Sequence, residues 1–199
     1  MISEQSLEIL KELLNISVGK GAQVLNTMLR HHVRLSVPQV IETSPSHLHE
    51  ALGLPLNQEI SCVQMAYKGS LQGEVQLLFP MKEAGLMVNL ITEEEFPPEE
   101  LDFIRQATVT EVGNVVINAV MGTLSNLFGF HLQYGLPAYR GGTVSSLSQH
   151  AGLKNLDRIL IARTTFRIEE IDLNGALILF FSLPTFKTLE SAVQNYAER

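Results

Sequence analysis

Apolar residues recur at helical spacing along two long stretches of the chain and alternate, or run together, along several shorter ones. The helical spacing predicts two long amphipathic helices at 6–30 and 102–128. The shorter patterns predict strands at 59–68, 73–79, 158–169 and 174–182. Each consecutive pair is separated by turn-forming residues, so we expect two hairpins, and the run 172–175, Asp-Leu-Asn-Gly, is the clearest turn signal.

The two halves of the chain share one plan. Shifting the sequence by 99 positions aligns four pairs of identical residues: Glu12 with Glu111, Asn15 with Asn114, Leu25 with Leu124, and Pro38 with Pro137. Each half reads as a long helix, a short strand around its proline, an apolar segment, a hairpin and a closing helix. We therefore expect a single α/β (α+β) domain over 1–199, with a mostly antiparallel sheet and pseudo-twofold repeats at about 6–92 and 101–197. The acidic, proline-bearing segment 93–100 would link them.

Composition narrows the possible functions. The chain has 199 residues, is 45% hydrophobic and carries a formal charge of −7, which argues against a nucleic-acid binder. Cys62 is the single cysteine, so no intramolecular disulfide is possible and a reducing cytoplasm is expected. The N-terminus lacks a signal-peptide pattern, and no apolar run is long enough to span a bilayer.

A polar pair recurs on the two predicted long helices. Glu12 and Asn15 lie three residues apart on one outward face, and Glu111 and Asn114 repeat that relation in the second half. A single such pair is usually ordinary solvated helix surface. However, Asn is unfavourable inside a helix, so its appearance at two matching positions needs another reason. A functional carboxamide is one such reason.

These motifs resemble the CheC, CheX and FliY family of response-regulator phosphatases. The resemblance covers nearly the whole chain and rests on Glu12/Asn15/Pro38 and Glu111/Asn114/Pro137, each with 22 residues between Asn and Pro, and on the flanking runs 15–19, 111–114 and 124–127. Two motifs in one chain of this length are most similar to the CheC branch of the family.

The resemblance implies hydrolysis of the aspartyl phosphate on a CheY-type response regulator in bacterial chemotaxis. Asn15 and Asn114 would orient the attacking water, while Glu12 and Glu111 would pair with a cation of the receiver. The chain itself would bind no metal or cofactor, and Mg²⁺ is expected on the partner receiver. Pro38 and Pro137 are interpreted as structural residues that restrain the following strand.

One alternative stays open: a non-catalytic CheC-like adaptor that binds a receiver, the deamidase CheD or flagellar switch partners. It is motivated by Glu8 and Ala107, which stand where the family pattern has Ser or Asp. CheD is also a candidate regulator of the phosphatase. A monomer is favoured, and a CheX-like exchanged dimer stays open as the alternative.

Other chemical signals favour structural explanations. We expect Cys62 to be a buried small hydrophobe and the apolar run 177–181 to be a core strand. The pairs His47/His49 and His31/His32 lack a nearby third ligand and are interpreted as surface. Gly141-Gly142-Thr143 lacks the lysine of a phosphate-binding loop and is interpreted as a flexible turn.

Overall fold

The computed structural model describes residues 3–92, 97–148, 158–181 and 183–197. It contains six α-helices and seven strands within those ranges. The helices are α1 Glu4–Leu29, α2 Leu48–Leu52, α3 Met81–Thr92, α4 Pro98–Phe128, α5 Val144–Ser148 and α6 Leu183–Ala197. The strands are β1 Val33–Thr43, β2 Glu59–Gly69, β3 Gly73–Pro80, β4 Leu132–Tyr134, β5 Ala138–Thr143, β6 Arg158–Ile168 and β7 Ile171–Phe181.

All seven strands belong to one sheet, whose order is β1-β6-β7-β3-β2-β4, with β5 also paired to β2. Every pairing is antiparallel. The predicted α+β class with a mostly antiparallel sheet is therefore confirmed. The division into repeats 6–92 and 101–197 stays a prediction, and of its linker 93–100 the residues 93–96 lie outside the described ranges.

The central strands are apolar on both faces because both faces are covered. On β6, Leu160, Ala162 and Phe166 belong to a large core cluster that includes residues of α1 and α4. The alternate residues Ile159 and Ile161 belong to a smaller cluster, formed with α2 and α5 on the opposite face. The predicted core strand at 177–181 is confirmed for 177–180, which are buried in β7.

The long helices begin and end at recognisable signals. The Ser3 side chain accepts a hydrogen bond from the Ser6 amide at the start of α1, and Arg30 ends that helix in the left-handed conformation. In α4, Pro98 occupies the first turn and Gly129 ends the helix at a φ of 68°. Because proline suits the first helical turn, α4 begins four residues before the predicted start at 102 and includes the end of the predicted linker.

Two turn predictions are wrong. Residues 172–175 lie inside β7, and its hairpin with β6 instead turns after Ile168, with Glu169 at a φ of 53°. Gly175 is needed for packing, because a Cβ there would lie 2.8 Å from Cε1 of Phe79. Residues 141–143 belong to β5 and pair with β2 as a regular strand.

Among the helices of the described ranges, none is long and apolar enough to cross a membrane.

Candidate functional site

The two motif helices lie on the same face of the sheet and pack against each other. α1 contacts β1 and α4, and α4 also contacts β2 and β3. A small residue allows the close crossing, since a Cβ on Gly21 would lie 3.3 Å from the Cβ of Ala119. Each motif is therefore held on a rigid element, with its polar side away from the core.

In the first motif, Glu12 is exposed and Asn15 is half-buried. The Asn15 carboxamide contacts the backbone of β1 at two points. Its Nδ2 donates to the Val37 carbonyl at 3.0 Å, and its Oδ1 accepts from the Val37 amide at 2.8 Å. The same Nδ2 also donates to the Lys11 carbonyl at 3.0 Å, one turn earlier in α1. Both amide hydrogens of Asn15 are thereby used within the protein.

The shape of β1 explains this contact. β1 is an edge strand, and its register against β6 shifts between Ser36 and Gln39. Val37 is only 1% exposed and falls inside this irregularity, next to Pro38, which has no amide hydrogen to offer. Buried backbone groups that leave a strand ladder need another partner. Asn15 supplies that partner to both groups of Val37.

The second motif has different surroundings. Glu111 is exposed, Asn114 is half-buried, and Gly113 between them faces β2. A Cβ on Gly113 would lie 2.7 Å from the Cβ of Val63, so glycine permits the close approach of α4 to the sheet. In the first motif the corresponding position is Leu14, which is fully buried. The residue before the asparagine is thus a buried leucine in α1 and a glycine in close contact with β2 in α4.

The Asn114 carboxamide is not bonded to a strand anywhere in the described ranges. Its Oδ1 accepts from Asn118 Nδ2 at 2.7 Å, while the same Asn118 nitrogen donates to the Asn114 carbonyl at 2.8 Å. Leu136, which corresponds to Val37, is 90% exposed in the break between β4 and β5, beside Pro137. The break removes the strand backbone that Asn114 would otherwise contact.

Neither motif carboxylate forms an ion pair with another described residue, so Glu12 and Glu111 can each receive a cation from outside. Upstream, Glu8 pairs with Lys11 at 2.8 Å, and Ala107 is exposed. Sequence reasoning missed Asn118, although an asparagine one turn after Asn114 was a visible signal.

The residues expected to be structural have ordinary environments. Cys62 is fully buried, as predicted, and burial raises the pKa of its thiol well above the ordinary range. His31 lies 3.5 Å from Glu169, and His47 contacts two serines of its own turn. The described residues contain no group of three or more His, Cys, Asp or Glu side chains that could hold a metal ion.

The chain is similar to a curated protein and to several solved structures of the same fold. The chain is 24% identical to the CheY-P phosphatase CheC of Bacillus subtilis over 139 residues, which are 68% of this chain and 66% of that protein, just under two thirds of its length. No protein-family model matches the chain.

Among solved structures, Thermotoga maritima FliY superposes with a TM-score of 0.80 at 19% identity, covering 98% of this chain and 99% of that one. The FliM middle domain from H. pylori superposes with a TM-score of 0.62 at 11% identity, covering 96% of this chain and 99% of that one. At these identities the two structures establish the fold. The sequence match and the shared fold confirm the resemblance to the CheC-like proteins of the CheC, CheX and FliY family.

Proposed function

We propose that this protein is a phosphatase for the aspartyl phosphate of a CheY-type response regulator, and that the Glu111/Asn114 face of α4 carries the activity. The proposal takes its substrate class from the CheC relative and its choice of face from the geometry. Its single strongest support is that Asn114 is held on a rigid helix with both Nδ2 hydrogens free of bonds to other described residues.

In the proposed reaction, the oxygen of a water forms a bond to phosphorus as the bond between phosphorus and the aspartyl oxygen breaks. The products are the receiver carboxylate and inorganic phosphate, and the proton lost by the water passes to phosphate or solvent. Asn114 would contact the water through the second lone pair of Oδ1 and a phosphoryl oxygen through Nδ2. Because its task is to hold the water in line, no side chain with a perturbed pKa is required.

Glu111 would fix the position of the partner. It is exposed, has no ion-pair partner among the described residues, and lies one turn before Asn114 on the same face. A charge-assisted bond from a lysine or arginine of the receiver would orient the phosphoryl group toward Asn114. The divalent cation needed for charge neutralisation would be held by the receiver.

Glu12 and Asn15 form the second proposed face, with an added requirement. Asn15 has no free donor while it contacts Val37, so it can act on a phosphoryl group only if those bonds break. Breaking them would leave two buried backbone groups without partners, at about 1–3 kcal/mol each. The α1 face is therefore proposed to contribute less turnover than the α4 face.

The test is dephosphorylation of a CheY-type receiver, phosphorylated with acetyl phosphate in the presence of Mg²⁺, by substoichiometric amounts of this protein. Wild type should accelerate loss of phosphate, Asn114→Ala should abolish most of the acceleration, and Glu111→Ala should mainly raise KM. The dephosphorylation activity of Asn15→Asp and Asn15→Ala should be measured under conditions in which circular dichroism shows that these variants are folded. No acceleration by wild type would refute the proposal.

The second candidate function is a docking protein that binds a receiver, CheD or a flagellar switch component without hydrolysis. It is favoured by the engagement of Asn15, which removes one of the two expected catalytic carboxamides, and by the shared fold of FliM. A docking protein would bind the phosphorylated receiver but leave its phosphoryl lifetime unchanged at substoichiometric amounts.

A further inference from the structure

A second asparagine contacts the proposed catalytic one. Asn118 is exposed and lies one helical turn after Asn114. Its Nδ2 donates one hydrogen to the Asn114 backbone carbonyl at 2.8 Å and one to Asn114 Oδ1 at 2.7 Å. The pair therefore sits on the outer surface of α4, on the side that carries Glu111.

This double contact determines which way the Asn114 amide faces. A backbone carbonyl can only accept, so the Asn118 atom next to it must be the nitrogen. That nitrogen then needs an acceptor as its other neighbour, and the neighbouring atom of Asn114 must be Oδ1. The Nδ2 of Asn114 consequently points away from Asn118, with its two hydrogens available to a partner.

We propose that Asn118 is a positioning residue for the phosphatase reaction: it fixes the Asn114 carboxamide so that Nδ2 faces the phosphoryl group and one lone pair of Oδ1 remains for the water. This inference rests on the proposed function of Asn114. A carboxamide that rotated freely would present its donor and acceptor in either order, so the oriented amide would spend more of its time in the productive arrangement.

The first half of the chain has no counterpart to this contact. The residue four positions after Asn15 is Gly19, which has no side chain to donate. The Asn15 amide is oriented instead by Lys11 and Val37, in a way that consumes both donors. The two motif helices thus fix their carboxamides by different means, and in the described contacts the α4 arrangement alone leaves the donor side open.

The experiment compares Asn118→Ala and Asn118→Asp with wild type in the receiver dephosphorylation assay. Removing the donor in Asn118→Ala should lower kcat about tenfold, the worth of one oriented hydrogen bond, and leave KM for the phosphorylated receiver unchanged. The Asn118→Asp carboxylate can only accept, so it should draw Asn114 Nδ2 toward itself, reverse the amide and lower kcat further. Asn118→Gln, which keeps the donor, should recover part of the lost rate.

The matched controls are Asn126→Ala and Asn126→Asp, because Asn126 is another exposed asparagine of α4 and reproduces the change in helix propensity and charge. Both should keep the wild-type kcat. A direct readout is the side-chain amide NMR signal of Asn114, assigned by its loss in Asn114→Ala. It should shift in Asn118→Asp and stay in place in Asn126→Asp.

The outcomes separate this inference from the proposed function. If Asn114→Ala loses activity while Asn118→Ala and Asn118→Asp keep the wild-type kcat, the positioning role is refuted and the phosphatase stands. A rise in KM or a fall in thermal stability as the only effect of Asn118→Ala would also refute it, because docking or folding would then be the role. If wild type shows no acceleration, the proposed function fails and the positioning role fails with it.

Discussion

The contact between Asn15 and Val37 predicts that the two motif asparagines differ sharply in their effect on stability. Asn15→Ala removes the partners of the Val37 amide and carbonyl, which are buried in a strand irregularity and have no ladder partner in the register of β1 with β6. Each orphaned buried group costs about 1–3 kcal/mol. The better helix propensity of alanine returns up to about 0.7 kcal/mol. The free energy of unfolding should therefore fall by about 3 kcal/mol.

Asn114→Ala is the matched comparison. It removes a bond to the exposed Asn118 and leaves no buried backbone group unpaired, so the propensity gain should leave the free energy of unfolding within about 0.5 kcal/mol of wild type. A change of 1 kcal/mol shifts the melting temperature by about 2–4 °C in a chain of this size. Asn15→Ala should therefore melt about 6–12 °C below both Asn114→Ala and wild type.

Urea denaturation followed by circular dichroism, with thermal melts as a second probe, measures this difference. Equal stabilities of the two alanine variants would show that Asn15 does not support β1 and would refute the structural explanation of that residue. A fall of similar size in both variants would equally contradict it, because Asn114 has no comparable contact. A water entering the gap beside Val37 would move the Asn15→Ala loss toward about 1 kcal/mol, still separable from Asn114→Ala.

Further predictions concern packing, reactivity and pH. Gly113→Ala should lower the free energy of unfolding by about 1–3 kcal/mol, because the added Cβ clashes with β2. Gly122→Ala has open space around its Cβ and should raise the free energy of unfolding by up to about 1 kcal/mol. Urea denaturation of both variants measures these changes. Cys62 should resist a thiol reagent in the native protein and react on unfolding, because it is buried and its pKa is raised. The pKa of Glu169 is lowered, first by the hydrogen bond from the His32 amide. The contribution of Glu169 to the free energy of unfolding should be present above its unfolded pKa and lost as the pH falls through its folded pKa. When the free energy of unfolding is measured from about pH 6 to pH 2, it should therefore fall less in Glu169→Gln than in wild type.

The long helices and the hairpin strands were predictable from the sequence because their periodic patterns are long, whereas the short helices α2 and α5 were not predicted. The hairpin strands and both motif helices follow from apolar spacing, and the antiparallel class follows from the turn-forming residues between paired strands. The predicted turn at 172–175 failed because Asn174 and Gly175 are local turn formers, while the ring of Phe79 requires a glycine at 175 from a distant strand. This requirement depends on which strands are neighbours in the sheet, and it cannot be predicted from the local sequence.

The candidate site was only half visible in the sequence. The Glu/Asn pairs could be found because they recur, and Asn118 could have been found by its helical spacing from Asn114. The bond between Asn15 and Val37 could not, because it depends on an irregularity of β1 that shifts the register between Ser36 and Gln39. Asn is unfavourable in the interior of a helix, so its presence at position 15 indicates a compensating role. Helix propensity does not distinguish a catalytic role from a structural one.

The bond between Asn15 and Val37 explains the spacing between asparagine and proline in the first half of the chain, but not in the second. Pro38 directly follows Val37, which is hydrogen-bonded to Asn15. In the first half, the spacing therefore corresponds to a contact between α1 and the edge strand β1. In the second half the spacing is the same, yet Leu136 points into solvent and Asn114 has no bond to it. The need to hold a strand therefore explains the asparagine of α1 and cannot explain that of α4. The only hydrogen bond of the Asn114 side chain among the described residues is with Asn118 on the outer face of α4. Because a mid-helix asparagine is otherwise unfavourable, this agrees with the proposal that the free donors of Asn114 meet a partner on that face.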